Sequence, residues 1–207
     1  EVACIADPFC YVSHLSAMQR YGLTDRTPQA LHLSTPARPL WNKLWAAQCA
    51  PKLREDLGGE FLPGFARPGF KNQLRRREVV VHETVHPGEP VDVRGERTRI
   101  ASVGRTFADM LIEPGLCGGM RHVIEVWERE AGDWAEMIIP EVDRVHGPRT
   151  DIVKVRAGYL LQERLGMTDP RVLAWKAFAQ RGGSRKLDPE GDYAPTFSAD
   201  WMISLNV

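Results

Sequence analysis

The sequence predicts an α/β fold of the α+β type: a mixed sheet from the first half plus a C-terminal strand, packed by a run of helices at about 104–181. Three observations carry it. Short β-branched runs bounded by Pro and Gly ("ALHLSTP", "EVVVHETV", "VDVRGERTRIASV") fall before Gly104. After Gly104 the apolar residues shift to helical spacing, as in Met120, Val123, Ile124 and Trp127. The chain has 207 residues, 43% hydrophobic and 26% charged, which suits one soluble globular domain spanning 1–207. No run of 18 apolar residues occurs, so no membrane partner is expected.

"YVSHLSAMQRYGLTDRTP" (11–28) reads as a helix with Ser13 as N-cap, Leu15, Met18 and Tyr21 on one face, and Gly22 as its stop. "ALHLSTP" is a strand closed by Pro36. Residues 37–72 are irregular, with a helix near 40–49 followed by loop. Residues 77–85 are β-branched and end at the Pro87-Gly88 turn, and "VDVRGERTRIASV" continues as strand, turn, strand. "RTFADMLIEP" is a helix ended by Pro114-Gly115, followed by the 118–130 helix and a weaker one over 134–146, interrupted by Pro140. Helices at 151–165 and 170–181 follow, Pro170 suiting a first turn. "DWMISLNV" reads as a strand returning to the sheet. No repeat period is visible.

Net charge is zero, with 27 Lys and Arg against 27 Asp and Glu, but the charges are segregated. Residues 67–77 are basic without an acid, 106–143 hold nine acids against Arg121 and Arg129, and 144–186 hold ten Lys and Arg against three acids. Two readings follow: acidic and basic helices lie side by side, or one face is basic toward nucleic acid or an acidic partner. For the second, Lys71, Arg75, Arg76, Arg77, Arg185 and Lys186 are the candidate phosphate contacts. Cys4, Cys10, Cys49 and Cys117 contain no C-x-x-C and read as free thiols in a reducing cytoplasm.

"HETVH" (82–86) fits the H-E-x-x-H pattern of zinc peptidases, with His82 and His86 as ligands and Glu83 as general base. That chemistry requires a helix. Three preceding valines and the following Pro-Gly predict a strand, on which residues four apart lie roughly 13 Å from each other. Both imidazoles cannot then reach one zinc at about 2.1 Å. There is no G-x-S-x-G, P-loop or G-x-G-x-x-G. Ser13, His14 and Asp25 are the nearest to a hydrolytic triad, but adjacent helical residues diverge by about 100°, and Ser13 reads better as a cap. "RGGSRK" (181–186) follows a helix instead of opening one, which does not suit phosphate. Arg105 and Asp109, four apart, read as a structural ion pair. No catalytic residue, metal or cofactor is expected.

Two stretches carry a resemblance. "YVSHLSAMQRYGLTDRTPQALHLSTP" (11–36) resembles the opening of the antitoxin domain of the AbiEi-type family, through Ser13, Ser16, Gly22, Leu23 and Asp25. "ASVGRTFADMLIEPGLCGGMRHVIEVW" (101–127) is similar to the same family's S-x-x-R-T-x-x-D segment with its C-G-G, through Arg105, Thr106, Asp109, Gly118 and Gly119. "RAGYLLQERLG" (156–166) resembles a third, with Ala157 where leucine is usual. Together these cover about a third of the chain in the family's order. The resemblance implies an antitoxin of a bacterial toxin–antitoxin operon linked to abortive phage defence, paired with a nucleotidyltransferase-type toxin or its target. It also implies promoter repression by an N-terminal winged helix. No helix-turn-helix pattern precedes Tyr11, so promoter DNA is expected to be read mainly by a domain missing from these residues. The motif positions themselves are expected to be structural.

Overall fold

Val79, Val80 and Val81 favour extended backbone, and in the computed structural model they lie in the long strand β4 (Arg77–Thr84). The structure describes residues 1–58, 66–69, 73–74, 76–147, 150–180 and 185–207. The fold is α/β, with a mixed six-stranded sheet, a second small sheet and helices. Its contacts divide the chain into two compact units, each visited twice: residues 1–12 with 29–100, and 13–28 with 101–207.

The first unit holds the mixed sheet. β1 (Tyr11–Val12), β2 (Leu31–Pro36), β3 (Gln73–Leu74), β4, β5 (Val91–Asp92) and β6 (Arg99–Ile100) are arranged β3-β4-β2-β1-β6-β5. β2 and β4 are parallel, with Leu31 opposite Val79 and Pro36 opposite Thr84. A parallel pair needs a long crossover. It contains α3 (Arg38–Leu44), a π-helical turn at Trp45–Cys49 and α4 (Ala50–Asp56). α4 is longer structure than the sequence reading allowed. Pro51 looks like a breaker, but it follows directly on the π-helical turn, where the regular ladder is already interrupted, and α4 runs on from there. β1 reaches only Leu33 and Ser34 of β2, so Pro36 ends the strand where β1 offers no pairing. A short helix, α1 (Val2–Ala6), precedes β1.

Asp7, fully buried, ties this unit together. Its carboxylate accepts hydrogen bonds from Thr35 Oγ1 (2.7 Å), Trp41 Nε1 (2.9 Å) and the Phe9 N–H (2.9 Å). A buried carboxylate is tolerated only when its oxygens are satisfied in this way. Phe9 meets the edge of Trp41, and Trp45 stacks on it.

The second unit is mainly helical: α2 (His14–Arg20), α5 (Val103–Ile112), α6 (Met120–Glu130), α7 (Ala135–Arg144), α8 (Ile152–Gly158) and α9 (Pro170–Ala174). 3-10 turns follow α5 and α9, and a π-helical turn extends α8. The core gathers Phe107, Met110, Leu111, Val123, Trp127 and Ile138. Two glycines permit close approach. A Cβ at Gly104 would overlap the Met137 carbonyl of α7, and one at Gly158 would overlap the Trp201 indole. The C-terminal strand is present, but it does not return to the main sheet. β8 (Ile203–Ser204) pairs antiparallel with β7 (Phe197–Ser198) as a separate two-stranded sheet, because the turn at Trp201 and Met202 folds it back on its own neighbour.

The segregated charges partly neutralise within this unit. Glu128 pairs with Arg164, Glu136 with Arg171 (2.7 Å) and Glu141 with Arg144 (2.7 Å), joining the acidic 106–143 stretch to the basic one after it.

Candidate functional site

The H-E-x-x-H residues lie on and just beyond β4. Glu83 pairs with Arg67 at 2.8 Å, and His86 lies past the strand end, its N–H donating to Thr84 Oγ1. Nε2 of His82 lies 3.1 Å from Nδ1 of His32 on β2. Their ring centres are 5.4 Å apart with planes 8° from parallel. The gap between those two distances is the width of one imidazole ring, so the rings meet edge to edge, nitrogen to nitrogen, in nearly one plane. This is an N–H···N hydrogen bond, not a stack. The two nitrogens aim at each other in one plane, so their lone pairs do not converge on a common metal position beside them. Among the described residues no group of three His, Cys, Asp or Glu side chains could hold a metal ion.

The motif residues converge in the second unit. Ser13 occupies the N-cap position of α2, as its sequence context predicts, but its hydroxyl does not cap the helix. His14 has a left-handed backbone (φ 50°), and its Nδ1 lies 2.9 Å from Ser13 Oγ. The other face of the ring, Nε2, reaches Glu113 at 3.2 Å. The arrangement is Ser–His–Glu, with Glu113 where the sequence offered Asp25. Asp25 is exposed. Ser13 and His14 are buried, and the chain of bonds ties the start of α2 to Glu113. Nothing in the sequence signalled Glu113, 99 residues away.

At the other end of α2, Gly22 (φ 70°) takes the left-handed stop position. Its N–H donates to Gln19, and that of Leu23 donates to Met18, the Schellman arrangement. Ser16 is buried on α2. Leu23 then gives its carbonyl to Arg129 (2.8 Å). Gly118 and Gly119 both have positive φ, 95° and 89°, turning the chain from the 3-10 segment into α6. The Gly118 carbonyl accepts from Arg26 at 2.7 Å. Thr24 Oγ1 accepts the Arg26 N–H and lies 2.9 Å from His122 Nε2. On the other side of the ring, Nδ1 lies 3.7 Å from Glu125. Burial, then the Arg26 charge, hold this imidazole below its ordinary pKa.

Ser102 caps α5 by accepting from the Arg105 N–H, and Thr106 returns its hydroxyl to the Ser102 carbonyl. Arg105 and Asp109 pair at 2.7 Å with side chains only 5% and 3% exposed. Arg156, from the third motif stretch, donates to the Leu111 carbonyl (2.7 Å) and to that of Lys186 (3.1 Å). Burial lowers its pKa to about 10.

The described basic candidates are divided between the two units. Lys71 and Arg75 lie outside the described residues, as do Gly182 and Gly183 of "RGGSRK". Arg76 and Arg77 are exposed in the first unit, Arg76 at φ 68°. Arg185 and Lys186 belong to the second unit and donate to the carbonyls of Phe178 (2.7 Å) and Gly191 (2.6 Å). A cavity of about 640 Å³ opens in the first unit, lined by Phe9, Tyr11, Leu44, Cys49, Lys52 and Asp56 among others. No helix of the described residues is long and apolar enough to cross a membrane.

No family model, curated protein or solved structure matches this chain.

Proposed function

We propose that this chain is an antitoxin domain of the AbiEi type, which binds and antagonises a co-encoded nucleotidyltransferase toxin or its target. It works as a binding module, without a catalytic centre or cofactor. What supports the reading is the interlock of the three resembling stretches. Arg26 on Gly118 and Glu113 on His14 join the first to the second, and Arg156 on Leu111 joins the second to the third. In this reading the three stretches form one hydrogen-bonded scaffold. Promoter repression in this reading belongs to a winged-helix domain and not to these residues.

The test is co-expression with the nucleotidyltransferase-type protein encoded beside this chain. Rescue of growth, together with co-purification or protection of the toxin's target, is the expected result. A toxin whose activity and growth effect are unchanged by stoichiometric amounts of folded chain would overturn the proposal.

A further inference from the structure

Cys4 and Cys10 flank a loop that folds back on a single cation. Cys4 lies in α1 and Cys10 immediately precedes β1, yet Arg99 of β6 grips both ends. Its guanidinium donates to the backbone carbonyls of Cys4 (2.6 Å), Asp7 (2.7 Å) and Cys10 (3.2 Å). The Arg99 N–H points at Cys4 Sγ, 3.5 Å away. The loop is closed further by Asp7 N–H to Ala3 and Cys10 N–H to Asp7. Both thiols are buried, at the two ends of the loop that the one guanidinium holds together. Cys4 also lines a cavity of about 380 Å³ with Val2, Val12, Leu33, Leu74 and Arg77, which gives a small reagent a way in.

We propose that Cys4 and Cys10 are a redox-active dithiol that forms an internal disulfide by exchange with small disulfides of the glutathione class. The Cys4 thiolate attacks one sulfur of the disulfide RSSR, forming Cys4–S–S–R and releasing RS⁻. Cys10, deprotonated, then attacks the Cys4 sulfur, and the second RS⁻ leaves. Two thiols are oxidised, one disulfide is reduced, and the two protons end on two RSH.

Geometry sets the order: Cys4 lines the cavity and receives the Arg99 N–H, whereas Cys10 is fully buried, and the electrostatics agree. The hydrogen bond from Cys10, with help from the Arg99 N–H and guanidinium, lowers the Cys4 pKa to about 6 although burial opposes it. Cys10 is pushed up, first by its bond to Cys4 and then by burial. Once Cys4 is a mixed disulfide its negative charge is gone, and with it the first cause holding the Cys10 proton. The attacking thiol is thus Cys4 and the resolving thiol Cys10. The other two cysteines have no such setting: burial raises Cys49 and, far more, Cys117.

The test uses the whole chain under native conditions with glutathione disulfide at pH 7, followed by non-reducing peptide mapping. The expected product is a Cys4–Cys10 link with no glutathione retained. Cys10→Ser should stop at one glutathionyl group on Cys4, and Cys4→Ser should yield neither species. In a Cys49→Ser background, alkylation of Cys4 by iodoacetamide should be half-maximal near pH 6. Should the wild type, with native circular dichroism, keep Cys4 unmodified or retain glutathione without an internal link, the proposal is overturned. This readout needs no variant to fold, and it is independent of toxin antagonism.

Discussion

Removing one partner of the Arg105–Asp109 pair should strand a charge in the core. The two side chains are 5% and 3% exposed and meet at 2.7 Å. Asp109→Leu leaves the Arg105 guanidinium buried opposite an apolar group, a change that costs about 3–5 kcal/mol. For a chain of this size each kcal/mol moves Tm by about 2–4 °C, so a fall of about 6–20 °C is expected. The double variant Arg105→Met with Asp109→Leu should recover most of that loss, because well-packed apolar replacements of a buried pair are often neutral. It also removes a buried oxygen, Asp109 Oδ2, that finds no hydrogen-bond partner among the described residues. Urea and thermal unfolding of the wild type, both single variants and the double variant give the coupling directly. Where the two units melt separately, only the transition of the second should move. A single substitution costing under about 1 kcal/mol, or a double equal to the sum of its singles, would refute the buried-pair reasoning. A double variant that is stable yet no longer antagonises the toxin would make these residues contacts and not scaffold.

Three further outcomes follow from the geometry. Gly104→Ala and Gly158→Ala should each lower the unfolding free energy measured in urea by about 1–3 kcal/mol, Gly104 more, since it meets the Met137 backbone and not a side chain; equal, negligible losses would contradict the close packing. His122 is neutral in the folded state with its pKa below the unfolded 6.5, so its contribution is full above pH 6.5 and is lost as pH falls below that. His122→Gln should therefore flatten the pH dependence of stability below about pH 6.5, and an unchanged slope would count against it. Purified protein should carry no stoichiometric zinc by elemental analysis; one zinc per chain, lost on His82→Ala, would overturn the strand assignment of β4.

What the sequence made legible was local. β4, α5 and α6 were readable because β-branching, caps and apolar spacing act over one or two turns, and Gly22 announced its own Schellman stop. The cap at Ser13 was read at the correct position with the wrong bonding: the left-handed His14 brings its ring onto the preceding hydroxyl, which no propensity describes. The division into two units was hidden, since residues 13–28 leave the sheet unit and return within one short helix and loop. The His32–His82 and Cys4–Cys10–Arg99 contacts depend on which strands become neighbours, and a single sequence does not state that.

The same limit explains why the candidate scaffold showed only as a resemblance. Arg26, Arg129 and Arg156 all end on backbone carbonyls, of Gly118, Leu23 and Leu111. A bond to a carbonyl constrains the arginine and leaves the partner's side chain free, so only one of the two positions carries a chemical mark. A pair of opposite charges can be guessed from spacing, as Arg105 and Asp109 were. An arginine aimed at a peptide group cannot. Such contacts fix the path of the chain through every residue they touch. Substituting the arginines should therefore disturb the fold more than substituting Leu23 or Leu111 with side chains of similar size, which leave the accepting carbonyl in place.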